Sequence, residues 1–290
     1  MTRPITVGVD GSPESLAAVA WAGREAVRRG LPLRVVHAWE RRPADLPVGD
    51  DQDAQNEWAR QTVREAAETV GGRHPGLTVT AGVLDTEAVP ALIAEAADAE
   101  LLVLGSRGHG AIVGFLLGSV GQQVIAETVR PVVVVRAEDH PETEAAGREI
   151  VVGQQGDPDD SAATLGFAFE TAAARGAALR VVRAWSLPPL YAYSPGSLKL
   201  LDEAGGLEPY EKKALAAAVE PWRGRFPDVP VTEHVEMGSA GQVLLSVAGR
   251  AQLMIVGRRV HRTAVGARMG SVAYAVMHHA HCPVAVVPHS

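Results

Sequence analysis

Residues 5–39 read ITVGVDGSPESLAAVAWAGREAVRRGLPLRVVHAW, and residues 150–185 read IVVGQQGDPDDSAATLGFAFETAAARGAALRVVRAW. Both pass through a β-branched run, a glycine-containing turn, an alanine-rich stretch, an Arg-Gly stop and a second β-branched run ending in Ala-Trp. A second matched pair follows in the same order, LLVLGSRGHGAIVGFLLGSVGQQVIAETVRPVVVVR at 101–136 and LMIVGRRVHRTAVGARMGSVAYAVMHHAHCPVAVVP at 253–288. Matched segments repeated in order half a chain apart mark an internal duplication. Between the copies lies AEDHPETEAAG, residues 137–147, polar, acidic and without a period, which reads as a linker. The expected domains are therefore 1–136 and 148–290.

Within the first copy the strand candidates are Ile5–Val9, Leu33–Ala38, Leu77–Val83, Leu101–Leu104 and Val132–Val135. Helices are expected over Pro13–Arg29, Asn56–Val70, Ala88–Ala97 and Ser119–Thr128. Pro13 suits a first helical turn, and Gly30 a helix end. Runs such as VVVV are apolar on both faces, the pattern of a parallel strand covered on both sides. Strands alternating with helices then give an α/β protein of two tandem doubly wound, Rossmann-like domains.

Composition narrows the function. Hydrophobic residues make up 47% of the 290 but aromatics only 4%, so the core is built from Ala, Val and Leu. A net charge of −7, from 27 basic and 34 acidic residues, argues against a general nucleic-acid binder, which needs a surplus of Lys and Arg against phosphate. The lone Cys282 leaves no intrachain disulfide framework and fits a reducing cytosol. With neither a signal-peptide pattern nor an apolar run of the roughly 20 residues a membrane helix needs, the expectation is a cytoplasmic protein with no membrane contact.

Ligands of open α/β sheets sit outside the carboxyl ends of strands, near the switch in strand order. Two turns meet that description: Asp10-Gly11-Ser12 after the first strand, and the glycine-rich stretch that begins at Gly105 after the fourth. Glycine-rich backbone can turn its N–H groups inward as an anion nest. Ser119 opens the following helix, where free N–H groups and the helix dipole favour a phosphate, although its hydroxyl could equally cap the helix. Neither standard phosphate loop fits. Gly105 and Gly110 have P-loop separation, but Ala111 stands where lysine belongs, and the first turn offers only Gly8 and Gly11 towards a Rossmann fingerprint.

What remains is Gly105-x2-Gly108-x9-Gly118-Ser119. With VGVDGSPES, VVHAW and HCPVAVV, this spacing resembles the ATP-binding motif of the universal stress protein family, over nearly the whole chain and twice. The resemblance implies a five-stranded parallel sheet flanked by helices, with a fifth strand that commonly pairs across a two-fold. It implies ATP, with Mg2+, as the ligand. Asp10 would face the adenosine, and Gly8, Gly11 and Ser12 would line the pocket. Gly105, Ser106, Arg107, Gly108, His109, Gly110 and Ala111 would wrap the ribose and phosphates, and Gly118, Ser119 and Val120 would hold the β and γ phosphates. The motif itself requires neither Arg107 nor His109. A homodimer of tandem chains follows from the family's habit of pairing.

The second copy departs from this pattern. Its motif is Gly257-x2-Val260-x9-Gly270-Ser271, with β-branched Val260 in place of the middle glycine. Asp10 is matched by Gln155 or a near neighbour, on the reading that this turn carries one more residue. Gly153, Gly156, Gly270, Ser271 and Val272 persist, while Arg258, Arg259, Arg262 and Arg268 crowd the loop. Those arginines either bind phosphate by charge or accompany a decayed site, and one strong nucleotide site per chain is expected.

Other features have plainer readings. In HHAHC (278–282), His278 and His279 are adjacent and cannot share a helical face, so helix-end histidines are favoured over a zinc site. Cys282 reads as a packing residue. Trp39 and Trp185 sit at equivalent strand ends, and the Pro/Gly/Asp-rich connections after them have lengths typical of lids or contact surfaces. Phosphoryl transfer needs metal ligands and a positioned nucleophile. Here only Asp10 and Asp85 are near as carboxylates, so the leading expectation is a nucleotide-dependent regulator in a stress response. An ATP-using enzyme of related fold and a structural dimerisation module are the alternatives.

Overall fold

The computed structural model describes residues 2–39, 52–106, 118–138, 144, 148–187, 206–260 and 269–289. The first half is built from β1 (Ile5–Gly8), α1 (Pro13–Arg29), β2 (Leu33–Ala38), α2 (Gln52–Arg73), β3 (Val79–Leu84), α3 (Ala88–Asp98), β4 (Leu101–Gly105), α4 (Ser119–Glu127) and β5 (Val132–Val135). The second contains β6 (Glu149–Gly153), α5 (Pro158–Arg175), β7 (Leu179–Trp185), α6 (Glu208–Arg225), β8 (Val231–Met237), α7 (Ala240–Val247), β9 (Ala251–Arg259), α8 (Ser271–His279) and β10 (Val284–His289). The two sets of strands belong to two compact units.

In the first unit the strand order is β3-β2-β1-β4-β5, with every pairing parallel. The second repeats the plan as β8-β7-β6-β9-β10. Strands β4 and β5 are buried along their length, from Leu101 to Leu104 and from Val132 to Val135, as a sheet covered on both faces requires. The edge strand β3 is half exposed. The order switches between β1 and β4, which places the crevice at the carboxyl ends of those two strands.

Helix ends follow local chemistry. Ser12 caps α1 by accepting the Ser15 N–H, Pro13 occupies its first turn, and Gly30 closes it at φ 63°. Gly176 closes α5 in the same way at φ 58°.

Three sequence expectations are corrected. Helix α2 begins at Gln52, ahead of Asn56, and runs through Gly71 and Gly72 to Arg73. Each glycine costs about 1 kcal/mol in a helix, but Val63, Ala66 and Val70 are buried and hold the segment helical. The true stop is Gly76, at φ 100°. Strand β3 starts at Val79, after Leu77, because the Leu77 N–H is used in that stop, donating to His74 O at 3.0 Å. Finally, Ile5–Pro13 and Ile150–Pro158 match one for one, with Gly11 at φ 80° and Gly156 at φ 74°. The additional residue lies within α5, so Gln155 is the counterpart of Asp10.

Candidate functional site

The turn after β1 is fixed by its own side chains. Asp10 Oδ1 accepts the Ser12 N–H at 3.0 Å and the Ser12 hydroxyl at 2.5 Å. The Ser15 hydroxyl donates to Ser12 O at 2.9 Å and accepts the Asp10 N–H at 3.2 Å. Behind the turn, His37 Nδ1 lies 2.6 Å from Val9 O; a carbonyl only accepts, so Nδ1 carries the proton. His37 is 9% exposed, and its ring meets Trp58 edge-on at 5.4 Å. Asp10 itself stays partly open, with Ser12 buried beneath it.

A chain of contacts joins this turn to the end of β4. A Cβ on Gly105 would lie 2.7 Å from both Glu14 C and Ser15 N, so the start of α1 rests directly on the Gly105 backbone. The next residue, Ser106, is buried; its N–H donates to Val135 O at 2.7 Å, and its carbonyl accepts the Gly118 N–H at 3.1 Å. The start of α4 is thereby drawn to the strand that α1 touches. These contacts bring the segments of Asp10, Ser106, Gly118 and Ser119 together near the carboxyl ends of β1 and β4, where the strand order switches.

The glycines there do different work. Gly8 faces the core, where a Cβ would sit 2.9 Å from Leu104 and 3.3 Å from Leu92. Gly105 is needed for helix approach. Gly11 is needed for its positive φ of 80°. Gly118 has none of these reasons among the described residues: its φ is −68°, and a Cβ there would meet none of them within 4 Å. It opens α4 without a side-chain cap, beside exposed Ser119 and Val120. The first N–H groups of a helix have no intrahelical acceptor, and with the helix dipole they make an anion site. Arg107, Gly108, His109, Gly110 and Ala111 lie outside the described residues.

The second half arranges the same places differently. Gln154, at the position of Val9, is buried and donates to Gly156 O at 3.1 Å and Ser161 Oγ at 3.2 Å. Arg183, at the position of His37, donates through Nη1 to Gln154 Oε1 at 2.7 Å and to Gly156 O at 2.9 Å. Its Nε bonds Glu211 at 2.5 Å. A guanidinium is therefore built into the turn, while Gln155 points to solvent. The swap of His37 for Arg183 is visible when VVHAW and VVRAW are set side by side, but its partners Gln154 and Glu211 are not.

Strand β9 also outruns β4. Gly257 corresponds to Gly105, yet β9 continues through Arg258 and Arg259, paired with Pro288 and His289, and Val260 N donates to His289 O at 2.8 Å. Arg258 is 3% exposed, and burial lowers its pKa. Arg259 lies 3.5 Å from Asp160. Gly153 faces Leu244, and Gly257 faces Thr164 and His289, whereas Gly270, like Gly118, has no described residue within 4 Å of a Cβ and stands before Ser271 and Val272. Arg262 and Arg268 lie outside the described residues. Among the described residues no three His, Cys, Asp or Glu gather to hold a metal, and no helix is long and apolar enough to cross a membrane.

The universal stress protein family model matches residues 1–136 and 147–288. A universal stress protein of Mycobacterium tuberculosis is 32% identical over 99% of this chain and 97% of its own length. One from Mycolicibacterium smegmatis is 32% identical over 98% of this chain and 96% of its own. The crystal structure of a universal stress protein from Archaeoglobus fulgidus overlays 99% of this chain and 98% of its own, with a TM-score of 0.71 at 17% identity, a likeness of fold.

Proposed function

The chain belongs to the universal stress protein family, and on that premise we propose that its first half binds ATP and acts as a nucleotide-dependent regulator. The observation that carries this reading is Gly118. Every other described glycine of the motif and the β1 turn has a reason internal to the fold; at Gly118 no described residue stands where a side chain would be, and it heads a helix without a side-chain cap. Glycine at such a place lets a ligand reach the backbone N–H groups. The triphosphate lies against the start of α4, with Ser119 and Val120 contributing N–H groups, and the nucleoside lies towards Asp10.

Mg2+ enters with the phosphates. Of the described residues assigned to this site, Asp10 and Ser119 carry side-chain oxygens that are not buried, a sparse set that suits a metal carried by the nucleotide and water. The same sparseness favours binding over turnover, since phosphoryl transfer relies on fixed metal ligands and a positioned nucleophile. One strong nucleotide site per chain is proposed, with the second half weaker or silent, because Arg183 is built into its turn. The tandem chain acts in the cytoplasm, as a homodimer.

The test is to denature freshly purified protein, identify the released nucleotide, count it per chain, and titrate ATP calorimetrically into nucleotide-free protein. About one ATP per chain, lost in Gly118→Val with the fold retained, supports the reading. No released nucleotide together with no heat of ATP binding overturns it, and two equal-affinity sites overturn the one-site form.

A further inference from the structure

A groove of about 740 Å³ runs between α1 and α2, on the far side of α1 from the β4 contact, with Gly11 at one end. That volume is in the range of small-molecule sites. Both helices follow parallel strands, so both descend in the same direction. At their upper ends stand Leu16, 50% exposed, and Trp58, 47% exposed; lower down, the walls end in Arg24 and Arg73. Leu16, Ala20 and Arg24 succeed one another at four-residue steps, a rise of roughly 12 Å along α1. The groove is apolar at one end and basic at the other. Its one acid, Glu65, accepts the Gln61 amide at 2.6 Å and keeps its charge, so the lining sets two arginines against one carboxylate.

The second half supplies an internal control. There the corresponding helices, α5 and α6, are packed with aromatic rings: Phe169 stacks on Trp222 at 6.0 Å and contacts Phe226 at 5.8 Å. Gly166 exists to admit the Trp222 ring, since a Cβ there would sit 2.7 Å from it, and Arg225 lies over the same ring at 5.7 Å. By position in the repeat, Phe169, Trp222 and Phe226 correspond to Gly23, Val70 and His74. One copy of the helix pair is filled by its own rings. The other has Gly23, Val70 and His74 there, with Val70 so close to Gly23 that a Cβ would lie 2.3 Å from it, and it keeps a basic end, with Arg73 at the position of Arg225.

We propose that the α1–α2 groove is a second ligand site, for an elongated apolar molecule ending in a carboxylate, with the chain along Leu16, Ala20 and Trp58 and the carboxylate at Arg24 and Arg73. Complementary charge selects an anion over a neutral or cationic amphiphile. The groove meets the proposed nucleotide pocket only at Gly11; the residues assigned to the chain and the carboxylate lie along the two helices and do not depend on that reading.

Dodecanoate is the probe, titrated calorimetrically into the full chain, with dodecanol as its neutral counterpart. One dodecanoate per chain is expected, with dodecanol weaker by about tenfold or more, the worth of a charge-assisted hydrogen bond. Thr62→Trp, which fills the groove, and Arg73→Glu, which reverses an exposed charge, should each weaken dodecanoate by about tenfold or more. Neither should move the ATP titration, so failure here is separable from failure of the nucleotide reading. Absence of saturable dodecanoate binding, or binding indifferent to both substitutions, overturns the proposal. Equal binding of dodecanol and dodecanoate overturns the choice of an anion.

Discussion

The turns after β1 and β6 have the same length and the same positive-φ glycine, yet they are held from opposite directions. In the first, Asp10 gathers Ser12 from within the turn, and His37 fastens it from behind through Val9 O. In the second, Arg183 reaches across to Gln154 and Gly156, and Glu211 anchors the arginine from α6. The first solution leaves the mouth of the turn open beside Asp10. The second puts a guanidinium into the turn's own hydrogen bonds. Duplicated backbones can thus keep their geometry while the side chains decide whether a crevice is available.

The sharpest way to break this comparison is at the helix starts. Gly118→Val should weaken ATP by about 10- to 100-fold, the loss of one or two charge-assisted backbone contacts. Valine is poorer than glycine at a helix start and should cost the fold only about 1 kcal/mol, and Gly270→Val should leave the ATP titration of the chain unchanged. Equal loss from both substitutions would mean that the halves bind alike.

Stability separates the strand-end glycines. Gly105→Ala drives a methyl group into the α1 backbone and should cost about 2–3 kcal/mol in denaturant unfolding. Gly257→Ala meets Thr164 Oγ1 at 2.9 Å and the His289 ring at 3.1 Å, side chains that can turn aside, and should cost about 1 kcal/mol. A reversed order would show that the α1–β4 approach is not what the first glycine serves.

Smaller effects belong to the turn side chains. Asp10→Ala removes the acceptor of Ser12 and should cost about 1–2 kcal/mol, with ATP weakened about tenfold. Its counterpart Gln155→Ala, on an exposed residue, should stay within about 0.5 kcal/mol. Arg183→Met should cost about 1 kcal/mol through the abandoned Gln154 and Glu211 and leave ATP binding untouched, which a melt and a titration on one sample would check.

The fold was legible because its signals are local and repeated. The β-branched runs, Pro13 and Gly30 place α1 and β2 at their observed bounds, Pro13–Arg29 and Leu33–Ala38. Where tertiary burial overrides propensity the sequence misleads, as at Gly71 and Gly72, which look like a helix stop until the packing of Val70 is known. The candidate site was legible as a set of positions but not as a division of labour. Nothing in the spacing distinguishes Gly105, shaped by α1, from Gly118, which no described residue crowds, because the neighbours that shape Gly105 lie far away in sequence. The Gln154–Arg183–Glu211 network was hidden for the same reason, as was the α1–α2 groove, whose walls come from two separate helices.

The strand ladders of the first unit carry a consequence for synthesis. The β1–β2, β2–β3, β1–β4 and β4–β5 pairings all lie between Ile5 and Val135. A ribosome has therefore delivered every partner in those ladders before β6 begins to emerge. Domains tend to fold as units in the order of their appearance, so the first half can take shape while its sibling is still being translated.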